Sequence, residues 1–269
     1  MTEDISFSPD APWLAPLAGY SDLPFRRLCR EHGCRVAVTE MVSAKGLLYH
    51  SPGTQELLMT CAEDTPLVVQ LFGAEETFLV GAIERLREAG FRHFDLNCGC
   101  PVRKVSKTGS GAALLKEPDH LLRLAKAMIN ATEPGCMGFK IRLGWHVGQP
   151  VFLQVAQALE DLGAGWLTMH PRFGAQGFTG NADWSQLALL KESVGLPVIA
   201  SGDLFHAEDA VRCIKQTGVD SIMFARGALN DPSIFERFLC LRGEGAAAEK
   251  SCSQAVSMVR RLCDLYAEH

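Results

Sequence analysis

Short apolar or β-branched runs recur along the chain at residues 13–17, 36–42, 67–72, 93–97, 138–143, 166–170, 198–201 and 221–225. Between them, apolar residues return every three or four positions. Leu79, Ile83 and Leu86 form one such stripe, Leu121, Leu122, Ala125 and Met128 a second, and Val155, Ala158, Leu159 and Leu162 a third. The runs suit buried strands and the stripes suit amphipathic helices. Gly90, Gly163, Gly195 and Gly218 fall near the ends of four helical stretches, where a left-handed cap favours glycine. Eight strand-then-helix units in 269 residues predict an α/β fold of the (β/α)8 TIM-barrel type, for which roughly 250 residues are typical. An open, doubly wound sheet is the alternative.

After Arg242 the pattern changes. Residues 243–250 (GEGAAAEK) read as a linker, and 251–269 carry Ala255, Val256, Met258, Val259, Leu262, Leu265 and Tyr266 at helical period. The barrel is therefore expected to occupy 1–242. One helix cannot form its own core, so the tail either packs on the barrel or opens a helical domain.

Composition narrows the class. Hydrophobic residues make up 47% and charged residues 21% of the chain, as in ordinary folded proteins. No apolar run approaches the ~20 residues of a membrane span, and the acidic start does not resemble a secretory signal, so a cytoplasmic protein with no membrane partner is expected. The net charge of −5 means that any nucleic acid must be met by a local basic patch. The ten cysteines lack the Cys-x2-Cys spacing of zinc and iron–sulfur sites, so reduced thiols and no metal are expected.

Polar residues gather where the strand-like runs end, the position at which barrel enzymes carry their chemistry. Glu40 follows the second run, Gln70 lies in the third, and Asn97 and Cys100 follow the fourth. Lys140 and Arg142 alternate to one face of the fifth, and His170 and Arg172 close the sixth. Ser201-Gly202-Asp203 and Ala225-Arg226-Gly227 follow the seventh and eighth, where this fold usually binds phosphate. Together with Lys140 and Gln70 they point to a phosphorylated cofactor. No Gly-x-Gly-x-x-Gly or Walker lysine supports a different nucleotide site.

The sharpest motif is Asp95-Leu96-Asn97-Cys98-Gly99-Cys100-Pro101, followed by Arg103, Lys104 and Lys107 and by Gly109-Ser110-Gly111. A thiol at Cys100 can act as proton donor or nucleophile at the start of a glycine-bearing, mobile loop. Cys98, at the strand end, reads as a packing residue.

This set resembles the flavin-dependent tRNA-dihydrouridine synthases, nearest the bacterial B-type members. The resemblance runs from about Ala15 to Phe235 through Ala15-Pro16-Leu17-Ala18-Gly19, Thr39-Glu40-Met41, Gln70-Leu71-Phe72-Gly73, the cysteine motif, Lys140-Ile141-Arg142, His170-Pro171-Arg172, Ser201-Gly202-Asp203 and Arg226-Gly227-Ala228. It implies FMN at the barrel mouth, NADPH as reductant, and hydride transfer from the flavin to C6 of a uracil ring in tRNA, with a D-loop uridine as the expected target and Cys100 protonating C5. Pro16, Leu17 and Ala18 would line the flavin, Gln70 would hydrogen-bond its ring, and Lys140 would stabilise its reduced form. His170, Ser201, Gly202, Asp203, Ala225 and Arg226 would hold its phosphate end. Asn97, Arg103, Lys104, Lys107, Arg142 and Arg172 would meet the RNA.

Members of the family carry a helical C-terminal domain that helps to hold tRNA, so 243–269 is expected to be a linker and the first helix of a truncated version. Ser201 stands where asparagine is usual, and Ala225 where glycine is. A monomer is expected, with tRNA as partner. A flavin barrel acting on a free pyrimidine, and a catalytically silent RNA-binding relative, are the competing readings.

Overall fold

The computed structural model describes residues 4–243 and 251–268. Its strands are β1 (Trp13–Leu14), β2 (Val36–Val38), β3 (Val42–Ser43), β4 (Leu67–Phe72), β5 (His93–Cys98), β6 (Met137–Arg142), β7 (Trp166–His170), β8 (Val198–Ser201) and β9 (Ser221–Phe224). All pairings are parallel, and β1 joins β2 to β9 while β2 also pairs with β4. The sheet therefore closes into a barrel of eight positions, with β3 continuing β2 along the same edge of β4. The expected single run at 36–42 is thus one strand interrupted at residues 39–41. Thr39 Oγ1 takes the Gln70 N–H at 3.2 Å, and the turned-out Glu40 carboxylate accepts the Gly19 N–H.

Helices follow the strands as the stripes foretold. In α3 (Glu76–Glu88), Leu79, Ala82, Ile83 and Leu86 are buried against the sheet, and in α5 (Pro118–Ala131) Leu121, Leu124, Ala125 and Met128 are. Each fully buried leucine or isoleucine contributes roughly 1.5–3 kcal/mol. In α8 (Ala207–Thr217) the cap is Gly218 at φ 66°, a left-handed conformation that glycine adopts without strain.

Apolar side chains fill the lower barrel. Trp13 and Trp166 face each other at 5.9 Å between ring centroids, with Phe7 against both. Gly138 makes room, because a Cβ there would lie 2.0 Å from the Trp166 ring. Above this floor the interior turns polar with Gln70, Asp95, Asn97 and Lys140, so the bottom supplies stability and the top is free for chemistry.

The tail forms α11 (Cys252–Ala267), which packs on α1 (Leu23–Glu31). Leu265 is fully buried, Arg261 pairs with Glu31 at 2.6 Å, and Tyr266 Oη donates to Asp22 at 2.6 Å. The helix thus packs against the barrel. Apart from Gly243, the expected linker 243–250 lies outside the described residues.

Candidate active site

A cleft of about 270 Å³ opens at the C-terminal ends of the strands. Ala15, Pro16, Leu17 and Ala18 form one wall, and Gly99, Cys100, Pro101 and Val102 another. Lys140 and His170 come from strands beneath it, and Ser201, Gly202, Asp203, Ala225 and Arg226 close the far side. In barrel order β5 lies diametrically across from β9, so Cys100 and Arg226 face one another over the cleft.

On the β5 side, hydrogen bonds fix the loop. Asn97 Oδ1 accepts the N–H groups of Gly99 (3.1 Å) and Cys100 (2.9 Å). Arg142 Nε donates to the Gly99 carbonyl at 2.8 Å, and the Ala112 N–H donates to the Cys100 carbonyl at 2.9 Å. Gly111, at φ 65°, passes so close that a Cβ would sit 2.6 Å from that carbonyl. Gly111 thus serves close approach, and the loop expected to be mobile is fastened at its start. Cys100 lines the cleft, partly exposed, whereas Cys98 is fully buried with its thiol pushed well up by burial and by the neighbouring Asp95.

Lys140 forms no hydrogen bond or ion pair among the described residues. Burial pulls its ammonium down to about 8, partly offset by the Asp95 charge. Asp95 is itself pushed up to about 7 by burial, against the Gln70 hydrogen bond and the Lys140 charge.

On the β7–β9 side, arginines and one aspartate make the frame. Arg172 grips Asp203 with two bonds of 2.8 and 2.7 Å, and Arg226 reaches the same carboxylate at 3.2 Å. Asp203 also accepts the Ala182 N–H, and these contacts hold its carboxyl below the usual range despite partial burial. Arg172 Nη1 donates at 3.0 Å to His170 Nε2, which requires the neutral ring with its proton on Nδ1. Burial and then the surrounding cations Lys140, Arg142, Arg172 and Arg226 keep His170 uncharged. The Arg226 guanidinium lies 5.4 Å from the centroid of Phe178 and 4.6 Å from that of Phe205. The N–H groups of Gly202, Asp203 and Arg226 donate to no acceptor among the described residues.

Most of the expected site residues meet in this cleft, with three differences. Gln70 is fully buried below the cleft, donating one amide hydrogen to Asp95 (2.6 Å) and accepting from Asn97 (2.8 Å), and it is not among the residues that line the cleft. Arg142 and Arg172 are buried at 1% and 2% exposure and hold carbonyls and Asp203; Arg142 lines the cleft, but neither stands on an exposed basic rim. Burial also pulls Arg142 down to about 10. The Asp203 carboxylate is committed to arginines, leaving its backbone to face a ligand. Arg103, Lys104 and Lys107, by contrast, are exposed beside the cysteine loop. Met41, Phe178 and Phe205 line the cleft unforeseen. Phe178, between Gly177 and Gly180, was signalled only by an aromatic among turn residues.

The fold and cleft define a parallel barrel with a mouth suited to an anionic ligand. Comparison of the fold agrees: morphinone reductase superposes with a TM-score of 0.62 over 91% of this chain and 88% of its own, at 14% identity. The profile of the family described as Dihydrouridine synthase (Dus) matches residues 13–268, and the chain belongs to that family. Relatives include the "Probable tRNA-dihydrouridine synthase 1" of Synechocystis, 37% identical over 81% of this chain and 61% of its own length. Another is the "tRNA-dihydrouridine synthase B" of Pseudomonas aeruginosa, 36% identical over 82% of this chain and 67% of its own. The matched part of this chain thus spans about two thirds or less of those two relatives.

Proposed function

We propose that the protein reduces the C5–C6 double bond of a uridine in tRNA, using FMN as cofactor and NADPH as electron donor. The observation that carries this reading is the placement of the Cys100 thiol across one cleft from Arg226 and the uncommitted N–H groups of Gly202 and Asp203, with the unpaired Lys140 between. Those donors fit a phosphate tail. The apolar wall of Pro16, Leu17 and Ala18 fits a flat ring, and Lys140 fits a ring edge that becomes negative. A flavin held by these residues would supply the hydride that C6 needs.

The chain's own residues do the rest. Cys100 donates the proton that C5 needs from the opposite face. Asn97 spends its carbonyl on the loop, one amide hydrogen on Gln70 and the other on the weak acceptor Met41 Sδ at 3.8 Å, which a uracil carbonyl would replace. Lys140, lowered to about 8 yet still mostly protonated at neutral pH, stabilises negative charge on its neighbour. A uridine in folded tRNA must leave its stack at a cost of a few kcal/mol, and Arg103, Lys104 and Lys107 offer phosphate contacts that offset it. A tRNA substrate also implies the cytoplasm as the place of action.

The test is spectroscopic. The purified protein should carry a flavin absorption band that NADPH bleaches without oxygen and that unmodified tRNA restores. A colourless protein that fails to take up FMN would end the reading.

A further inference from the structure

Below the cleft, three side chains form a single hydrogen-bonded line. Gln70 Nε2 donates to Asp95 Oδ2 at 2.6 Å, and Asn97 Nδ2 donates to Gln70 Oε1 at 2.8 Å. Asn97 Oδ1 then takes the N–H groups of Gly99 and Cys100. All three side chains are at least 93% buried, with exposures of 0% for Gln70, 3% for Asp95 and 7% for Asn97.

An amide can in principle be turned end for end, but this line cannot. At its upper end two backbone N–H groups demand an oxygen, so Asn97 must present Oδ1 to them and Nδ2 to Gln70. At its lower end a carboxyl oxygen accepts, so Gln70 must present Nε2 to it and Oε1 to Asn97. Both ends impose the same direction. Removing the acceptor at 95 leaves Gln70 free to rotate, which removes the demand that keeps Asn97 facing the loop.

We propose that Asp95 is a positioning residue that acts through Gln70 and Asn97 to hold the Cys100 loop in place. What the position requires is an acceptor oxygen rather than a charge. The charged or titratable groups that face Asp95 are Lys140 on β6 and the buried Cys98 on its own strand, while β4 offers only the neutral Gln70. The effect on turnover rests on the proposed uridine reduction; the effect on the loop does not.

The experiment compares Asp95→Leu, Asp95→Asn and Gln70→Met in the flavin-loaded, full-length protein. Amide hydrogen exchange is followed at Gly99 and Cys100, with the α8-capping Gly218 N–H as a reference for global opening. Losing one buried hydrogen-bond partner corresponds to about tenfold faster exchange at Gly99 and Cys100 in Asp95→Leu and in Gln70→Met, with Gly218 unchanged. Asp95→Asn, which keeps an acceptor oxygen, should stay within about threefold of the parent. A double variant combining Asp95→Leu with Gln70→Met should match the single ones, as for two links of one chain. In turnover, kcat should fall about tenfold with KM for tRNA unchanged, because the thiol and not the RNA surface is displaced.

If Asp95→Leu folds poorly, Gln70→Met alone decides. Unchanged exchange at Gly99 and Cys100 in Gln70→Met, effects that add in the double variant, or an Asp95→Asn indistinguishable from Asp95→Leu would overturn the proposal. Altered exchange without any tRNA reduction by the parent protein would leave the loop mechanism standing and sink the functional reading.

Discussion

The two halves of the barrel mouth are built from different chemistry. From β4 to β6 the polar residues are buried and joined mainly by uncharged amides, with the Cys100 loop resting on Asn97. From β7 to β9 the frame is ionic, with Arg172 and Arg226 sharing Asp203 and with Phe178 and Phe205 flanking Arg226. Directional amide bonds fix where one thiol points. A carboxylate between guanidinium groups keeps two cations side by side without their repelling each other apart, which suits holding an anion. Under the proposed function the first half would present a reacting atom and the second would bind, and substitutions should separate along that line.

The largest separation is expected at the cysteines. General acid catalysis contributes roughly 10²–10⁴-fold, so Cys100→Ala should lose that much turnover in single-turnover kinetics while retaining its flavin. Cys98→Ala, two residues away but sealed in the core, should change turnover little. Equal losses would erase the distinction between loop and strand.

On the ionic side, Asp203→Ala leaves Arg172 buried without its carboxylate, a change that typically costs about 3 kcal/mol, measurable by denaturant unfolding. Arg226→Ala should leave stability nearly intact and weaken flavin binding about tenfold, since Arg226 is partly exposed and Asp203 stays held by Arg172 and the Ala182 N–H without it. Matching stability losses in both variants would contradict the assignment of frame and binding roles.

Lys140 gives a smaller, pH-dependent effect. Its folded value of about 8 lies below the ordinary 10.5, so between those values the unfolded chain binds more protons and stability rises with pH. Below pH 8 the buried charge is a standing cost, and Lys140→Met should be more stable than the parent by about 2 kcal/mol at pH 7. That advantage should shrink between pH 8 and 10.5. A constant difference across this range would show that burial does not act on this ammonium. The smallest effect is expected at the rim: replacing Lys104 and Lys107 by alanine should reduce the salt slope of tRNA binding by about 1–2.

The alternation of strand and helix was legible because each helix buries one stripe and most strands are largely apolar, so the barrel followed from periodicity. The cysteine loop and the two glycine-bearing ends were legible for a similar reason: polar residues at strand ends have few structural uses. The interruption of the second strand was not, since Thr39 supplies its hydroxyl to the Gln70 N–H and nothing in 36–42 marks that substitution. Arg142 and Arg172 were expected to meet the RNA because sequence shows charge and not partners. Their partners are mostly carbonyls contributed by loop residues 99 and 173–180, and any residue type can provide these. The partners of Gln70 were hidden likewise, since its bond to Asp95 crosses to the neighbouring strand.

The most direct test of the central claim is mass analysis of dihydrouridine in tRNA lacking the modification after incubation with the flavin-loaded protein and NADPH. The protein should introduce dihydrouridine at a defined position, and Cys100→Ala, with its flavin still bound and still reduced by NADPH, should introduce almost none under the same conditions. Reduced flavin in the parent protein with no dihydrouridine in any tRNA, or undiminished product from Cys100→Ala, would contradict it.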